Sequence, residues 1–243
     1  MRPRMYKHPL DYPWDFDDLF INTRQHLKGR KTSSPLNGPR QKFLIHVLGG
    51  YTNDILENWI LIFSAYYGVD TKITKSDWGA AFSIIDPFRG CSQPDMVLCL
   101  NDHRDLLTSG NRDRPIIDPN LAISQLTKLI DSCVSRGVAV CLTNYFTPQA
   151  GPPSPDPAQS LANVSHQLNY FLQQQQNKQK LLHLISLDQL SALTEEPLTA
   201  SLRNWYQFGH TLSISGSIIL AQAVARHIAS LKGLGKKALV VDL

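Results

Sequence analysis

Apolar residues along this chain fall into short continuous blocks and longer stretches spaced at three and four, and the two patterns alternate. The blocks at Phe43 to Leu48, Val69 to Thr74, Asp95 to Leu100, Val138 to Thr143 and Leu181 to Leu187 read as strands. The first is bounded by Gly49-Gly50 and the second alternates apolar with polar residues. Between them, Ile55, Trp59, Ile62, Phe63 and Tyr66 recur at helical spacing, after Asn53 or Asp54 as cap and before Gly68 as stop, and predict a helix with an aromatic core face. Leu121, Ile123, Leu126, Leu129, Ile130 and Val134 predict a second helix from about Asn120 to Ser135, closed by Gly137. Leu161, Leu168, Phe171 and Leu172 mark a long polar helix whose Gln173 to Gln176 run faces water. Ile218, Ala221, Val224, Ala225 and Ile228 mark the closing helix, capped by Ser213 or Ser215. Strands alternating with helices imply an α/β domain whose parallel sheet is covered on both faces.

The remaining segments punctuate this order. Residues 1–40 form an N-terminal extension with a short amphipathic helix near Asp15 to Lys28 and a Lys- and Ser-rich linker to Arg40. Lys75 to Arg89 is a loop carrying Asp77-Trp78-Gly79 and the stop Asp86-Pro87. Five prolines between Thr147 and Ser160 exclude helix and central strand there. The last residues, Lys236 to Leu243, read as one more strand in a chain whose sheet is already complete.

Composition narrows the class. With 243 residues, 42% hydrophobic and 18% charged, the chain can bury a sizeable core. Its formal charge of +4 is not arranged as a basic stripe interleaved with aromatics, so nucleic acid is not an expected partner. Cys91, Cys99, Cys133 and Cys141 form no CxxC pair and read as free thiols, three of them in or beside apolar runs, which points to a reducing, cytoplasmic setting. No secretory leader and no membrane span are expected. None of the eight histidines stands in HExxH or a Cys/His cluster, and neither GxGxxG nor GxxxxGK[ST] occurs, so no metal, dinucleotide or P-loop site is expected in this chain.

In an open α/β sheet, ligands bind beyond the carboxyl ends of the strands. Four segments at such ends, in the right order, resemble the blocks of the SGNH (GDSL-type) hydrolase superfamily. Gly50-Tyr51-Thr52 stands for Gly-Asp-Ser after the first strand, Gly79 for the second-block glycine, Leu100-Asn101-Asp102 for Gly-x-Asn-Asp, and Gly209 to Gly216 for the final His-Leu-Ser-x-x-Gly block. The resemblance implies a three-layer α/β/α, flavodoxin-like domain over residues 41–232, with five parallel strands in the order 2-1-3-4-5. It also implies a catalytic site in which Thr52 replaces the nucleophilic Ser, His210 is the general base, Gly79 and Asn101 help to hold an oxyanion, and Gln207 replaces the orienting Asp. Asn144, at the end of the fourth strand, is a further crevice candidate. Thr52 reads equally as a helix cap. A Thr hydroxyl is a hindered nucleophile and a neutral Gln cannot stabilise an imidazolium as a carboxylate does, a loss worth about 10⁴-fold in a well-studied triad.

The tail Lys236-Lys237-Ala238-Leu239-Val240-Val241-Asp242-Leu243 is similar to the first strand of a haloacid dehalogenase (HAD) phosphatase domain, truncated after what would be its nucleophile, Asp242. An SGNH-like domain followed by such a strand is the arrangement of FkbH-like proteins (HAD subfamily IIIC). That resemblance implies a role in loading a glyceryl or acyl unit onto an acyl carrier protein in polyketide-type biosynthesis, with the carrier and the C-terminal HAD domain as partners. Mg2+ is then expected only with a complete HAD domain. Three readings follow: a weakly or non-catalytic carrier-docking module, an active ester hydrolase or acyltransferase using Thr52 and His210, or a bare structural remnant.

Overall fold

The computed structural model describes residues 41–48, 54–76, 92–102, 118–146, 160–192, 198–199 and 212–234. In chain order they form β1 (Gln41–Leu48), α1 (Asp54–Tyr66), β2 (Val69–Lys75), β3 (Met96–Cys99), α2 (Pro119–Val134), β4 (Ala139–Thr143), α3 (Leu161–Lys178), β5 (Leu182–Ile185), α4 (Leu187–Ser191) and α5 (Ile214–Leu231). The sheet runs β2-β1-β3-β4-β5, and every neighbouring pair is parallel. The strand order therefore reverses between β1 and β3, where open α/β sheets place their ligand crevice.

Two cores separate along the pleat. Ile45, Val47, Met96, Leu98 and Cys141 point to one face, where Trp59, Ile60 and Phe63 of α1 and Ile218, Ala221 and Val224 of α5 cover them. Leu48, Val97, Cys99, Val140 and Leu142 point to the other, under Leu126 and Ile130 of α2 and Val164, Leu168 and Leu172 of α3. This is a three-layer α/β/α domain. β3 and β4 are buried along their whole length because helices lie on both faces, whereas β2 at the edge alternates in exposure, as its sequence does. Cys99, Cys133 and Cys141 are free and buried, and desolvation pushes the thiols of Cys99 and Cys141 up to about 12, far from reactive thiolate.

Helix ends follow side-chain chemistry. Asp118 accepts from the Asn120 N–H with Pro119 in the first turn of α2, and Ser160 accepts from the Asn163 N–H at the start of α3. Of the two serines that could cap α5, Ser213 does so, its Oγ accepting from the Gly216 N–H at 2.9 Å. Gly68 and Gly137 adopt φ of 86° and 72° just beyond α1 and α2, a left-handed turn that other residues resist.

The fifth strand is shorter than the sequence predicts. Ser186 ends it by turning its Oγ to the Gln189 N–H, which starts α4, a helix that the apolar run Leu181 to Leu187 conceals. By length and composition α5 could cross a membrane (mean hydropathy 1.3), but 61% of that stretch is buried inside the protein as a core helix. The N-terminal helix, the proline-rich loop, the final strand and Cys91 lie outside the described residues.

Candidate active-site crevice

Asn101 stands just past β3, and its side chain is locked against the end of β4. Its backbone N–H donates to Thr143 Oγ1 at 2.8 Å, its Nδ2 donates to the Thr143 carbonyl at 2.5 Å, and its Oδ1 accepts from Cys99 Sγ at 3.6 Å. Thr143 returns its own hydroxyl to the Asn101 carbonyl at 3.4 Å. Asn101 is only 2% exposed, so leaving these groups unpaired would be costly, and the pairing orients the amide. Nδ2 keeps a second hydrogen beyond the one given to Thr143. An amide held this way at a strand end is suited to donate to a developing oxyanion.

Asn144 follows one residue along and works differently. Its Oδ1 accepts from the Leu187 N–H at 2.6 Å and its Nδ2 donates to Asp188 Oδ2 at 2.5 Å, so both ends of the amide strap β4 to the start of α4. A third amide repeats the device. Asn169 of α3 accepts from the Tyr145 N–H at 2.7 Å and donates to its carbonyl at 2.8 Å. Asn144, Asn169 and Asp188 meet His166, Gln173, Leu184 and Ser186 around a cleft of about 370 Å³. Much of the polar chemistry in that cleft is thus committed to holding the chain.

The segment before α5 is stitched at its far end. The Ser213 N–H donates to the Leu198 carbonyl at 2.8 Å, and Thr199 and Leu212 form an antiparallel bridge. Gly216 leaves no room for a side chain. A Cβ there would lie 2.1 Å from the Leu198 carbonyl oxygen. At the end of edge strand β2, Lys75 pairs with Asp54 at 2.7 Å and Glu57 at 2.9 Å in the first turn of α1, and these bonds raise its ammonium pKa.

Of the candidate residues, Asn101 and Asn144 are brought to adjacent strand ends, Asn101 bonded to Thr143 and Asn144 to Leu187 and Asp188. Thr52, Gly79, Gln207, His210 and Asp242 lie outside the described residues. Sequence reading missed Thr143, Asn169 and Asp188. A polar residue beside the buried Leu168 and Leu172 was the one available signal for Asn169. Among the described residues no group of three or more His, Cys, Asp or Glu side chains could hold a metal ion.

No family model matches the chain, and no curated protein does. Solved structures do. The N-terminal, phosphatase-domain-containing part of protein BF1531 from Bacteroides fragilis, solved with Mg, superposes with a TM-score of 0.69 at 16% identity, over 87% of this chain and 57% of that one. This chain therefore spans little more than half of that structure. A candidate lipolytic protein of the G-D-S-L family from Desulfitobacterium hafniense DCB-2 superposes with a TM-score of 0.50 at 10% identity, over 77% of this chain and 99% of that one. The fold is accordingly that of the SGNH/GDSL hydrolases: an α/β domain with a five-stranded parallel sheet.

Proposed function

We propose that this chain is the SGNH-like portion of an FkbH-like protein, and that it binds an acyl unit carried by an acyl carrier protein for a following HAD phosphatase-type domain, with weak or absent ester hydrolysis of its own. Residues 41–232 are the SGNH-like domain in this reading, 1–40 an extension, and 236–243 the first strand of the HAD domain, with Asp242 as nucleophile. Mg2+ belongs with that complete domain.

The observation that carries the reading is Asn101, buried at the end of β3 and fixed so that one Nδ2 hydrogen remains for a carbonyl or oxyanion oxygen. In this reading that hydrogen is the donor to the acyl oxygen. Thr52 and Gln207, standing where a hydrolase would carry Ser and Asp, are what separate binding from turnover. The overlap with the phosphatase-domain-containing part of the Bacteroides fragilis protein supports a two-domain arrangement.

The test is titration of the full chain with an acyl carrier protein bearing a short acyl thioester, following complex formation and thioester loss together. Saturable binding with the thioester intact is the expected result. Absence of binding sinks the proposal. Rapid thioester loss, abolished in Thr52→Ala and His210→Ala, would favour the second reading. There the Thr52 hydroxyl attacks the acyl carbonyl, His210 takes its proton, Asn101 holds the oxyanion, the carrier thiol leaves with a proton, and water releases the acid.

A further inference from the structure

We propose that the seam between β5 and α5 is an acid-operated latch, in which the facing imidazoles of His183 and His227 hold the edge strand closed while both are neutral and force it off the helix when either takes up a proton. The pleat of β5 sends Leu182 to the α2/α3 core and Ile185 to the α1/α5 core, so His183 faces α5. Its ring meets that of His227 with centroids 4.1 Å apart and planes tilted by 57°. The Nε2 atoms of both are buried and have no hydrogen-bond partner among the described residues.

A neutral imidazole can place its proton on Nδ1 and leave at Nε2 only an unused lone pair, whereas an imidazolium puts an N–H and a net charge there with nothing to accept it. Nothing described around the pair offsets that charge. The register partner of His183 on β4 is Cys141, whose thiol stays neutral up to about 12. Asp188, the one charged residue of α4, is held by Asn144. On and after α5, Arg226 reaches to the Tyr67 hydroxyl and Lys232 to Asp95. On α1, Asp54 and Glu57 are bound to Lys75 at the opposite edge of the sheet. Burial accordingly lowers the pKa of His183, and burial together with the neighbouring His183 lowers that of His227 to about 4.

The strand this pair secures is the easiest to release. β5 has four residues, bonds among the described strands to β4 alone, and leads through Ser186 into α4. Opening it would break the Asn144 bonds to Leu187 and Asp188 and remove one wall of the crevice. Because both folded-state pKa values lie below the usual 6.5, the latch is fully closed above that pH and weakens as pH falls below it, down to about 4 for His227.

Amide hydrogen exchange on the full chain tests this. Protection of Leu182–Ile185 is compared with that of Phe43–Val47 in β1 from about pH 7.5 to about pH 5, each corrected for intrinsic exchange. The expected result is a loss of about tenfold per pH unit below about 6.5 in β5 for each imidazole involved, with no matching loss in β1. In His227→Phe, which keeps a ring and removes the titration, β5 protection should lose most of this dependence. His183→Gln should do the same, and serves should the first variant fail to fold. β5 protection that tracks β1 in the wild type, or that falls as steeply in the variants, overturns the proposal.

Discussion

The strand ends of β3 and β4 and the seam between β5 and α5 handle buried polar groups in opposite ways. At the strand ends, the amides of Asn101, Asn144 and Asn169 each serve two partners in a fixed direction. At the seam, two imidazoles lie against each other with orphaned Nε2 atoms. His46 shows that the fold can satisfy a buried imidazole, since its Nδ1 lies 2.9 Å from Thr74 Oγ1. The Thr74 hydroxyl donates to the Ile45 carbonyl, so His46 Nδ1 is the donor in that contact. Satisfied polar groups make the crevice rigid, and unsatisfied ones make the seam responsive to pH.

The largest effect should come from the most crowded point of the rigid region. Gly216→Ala forces a methyl group onto the Leu198 carbonyl, which is backbone and cannot swing away, and should cost about 3 kcal/mol or more in chemical denaturation. Asn144→Ala comes next, at about 2–3 kcal/mol, because it leaves the buried Leu187 N–H without an acceptor. Asn144→Asp should not rescue it, since a carboxylate would then oppose Asp188.

A smaller effect, of opposite sign, is expected at the seam. At about pH 5, His227→Phe should raise the thermal midpoint relative to wild type, and that advantage should shrink toward about pH 7.5, where the wild-type imidazoles are neutral. A constant difference across that range would erase the contrast between the regions. A modest effect, about 1 kcal/mol, is expected for Lys75→Met: water screens its pairing with the 67% exposed Asp54, and the cost comes from Glu57, 12% exposed, which loses its partner.

What was legible in the sequence was what local pattern decides. Fully buried β3 and β4 show as continuous apolar runs and edge strand β2 as alternation, because burial on two faces or one sets those patterns. Asn101 was legible as a residue just past a buried strand. Its orientation was not, because Thr143 reaches it only through the register of β3 against β4. The same holds for His183 and His227, forty-odd residues apart in the chain and joined only when α5 returns across the sheet. Ser213 and Ser215 were equivalent as caps until the Gly216 N–H chose between them. The end of β5 was misplaced because Leu187 continues the apolar run while Ser186 has already begun a helix.

Under the proposed function the crevice holds an acyl group and is poorly equipped to cleave an ester. Intact-mass analysis after incubation with an ester-directed fluorophosphonate, from about pH 6 to about pH 9 where a catalytic His can act as base, tests it most directly. The prediction is that wild type gains an adduct no faster than Thr52→Ala or His210→Ala. A wild-type adduct that disappears in both variants would contradict it and establish a working nucleophile.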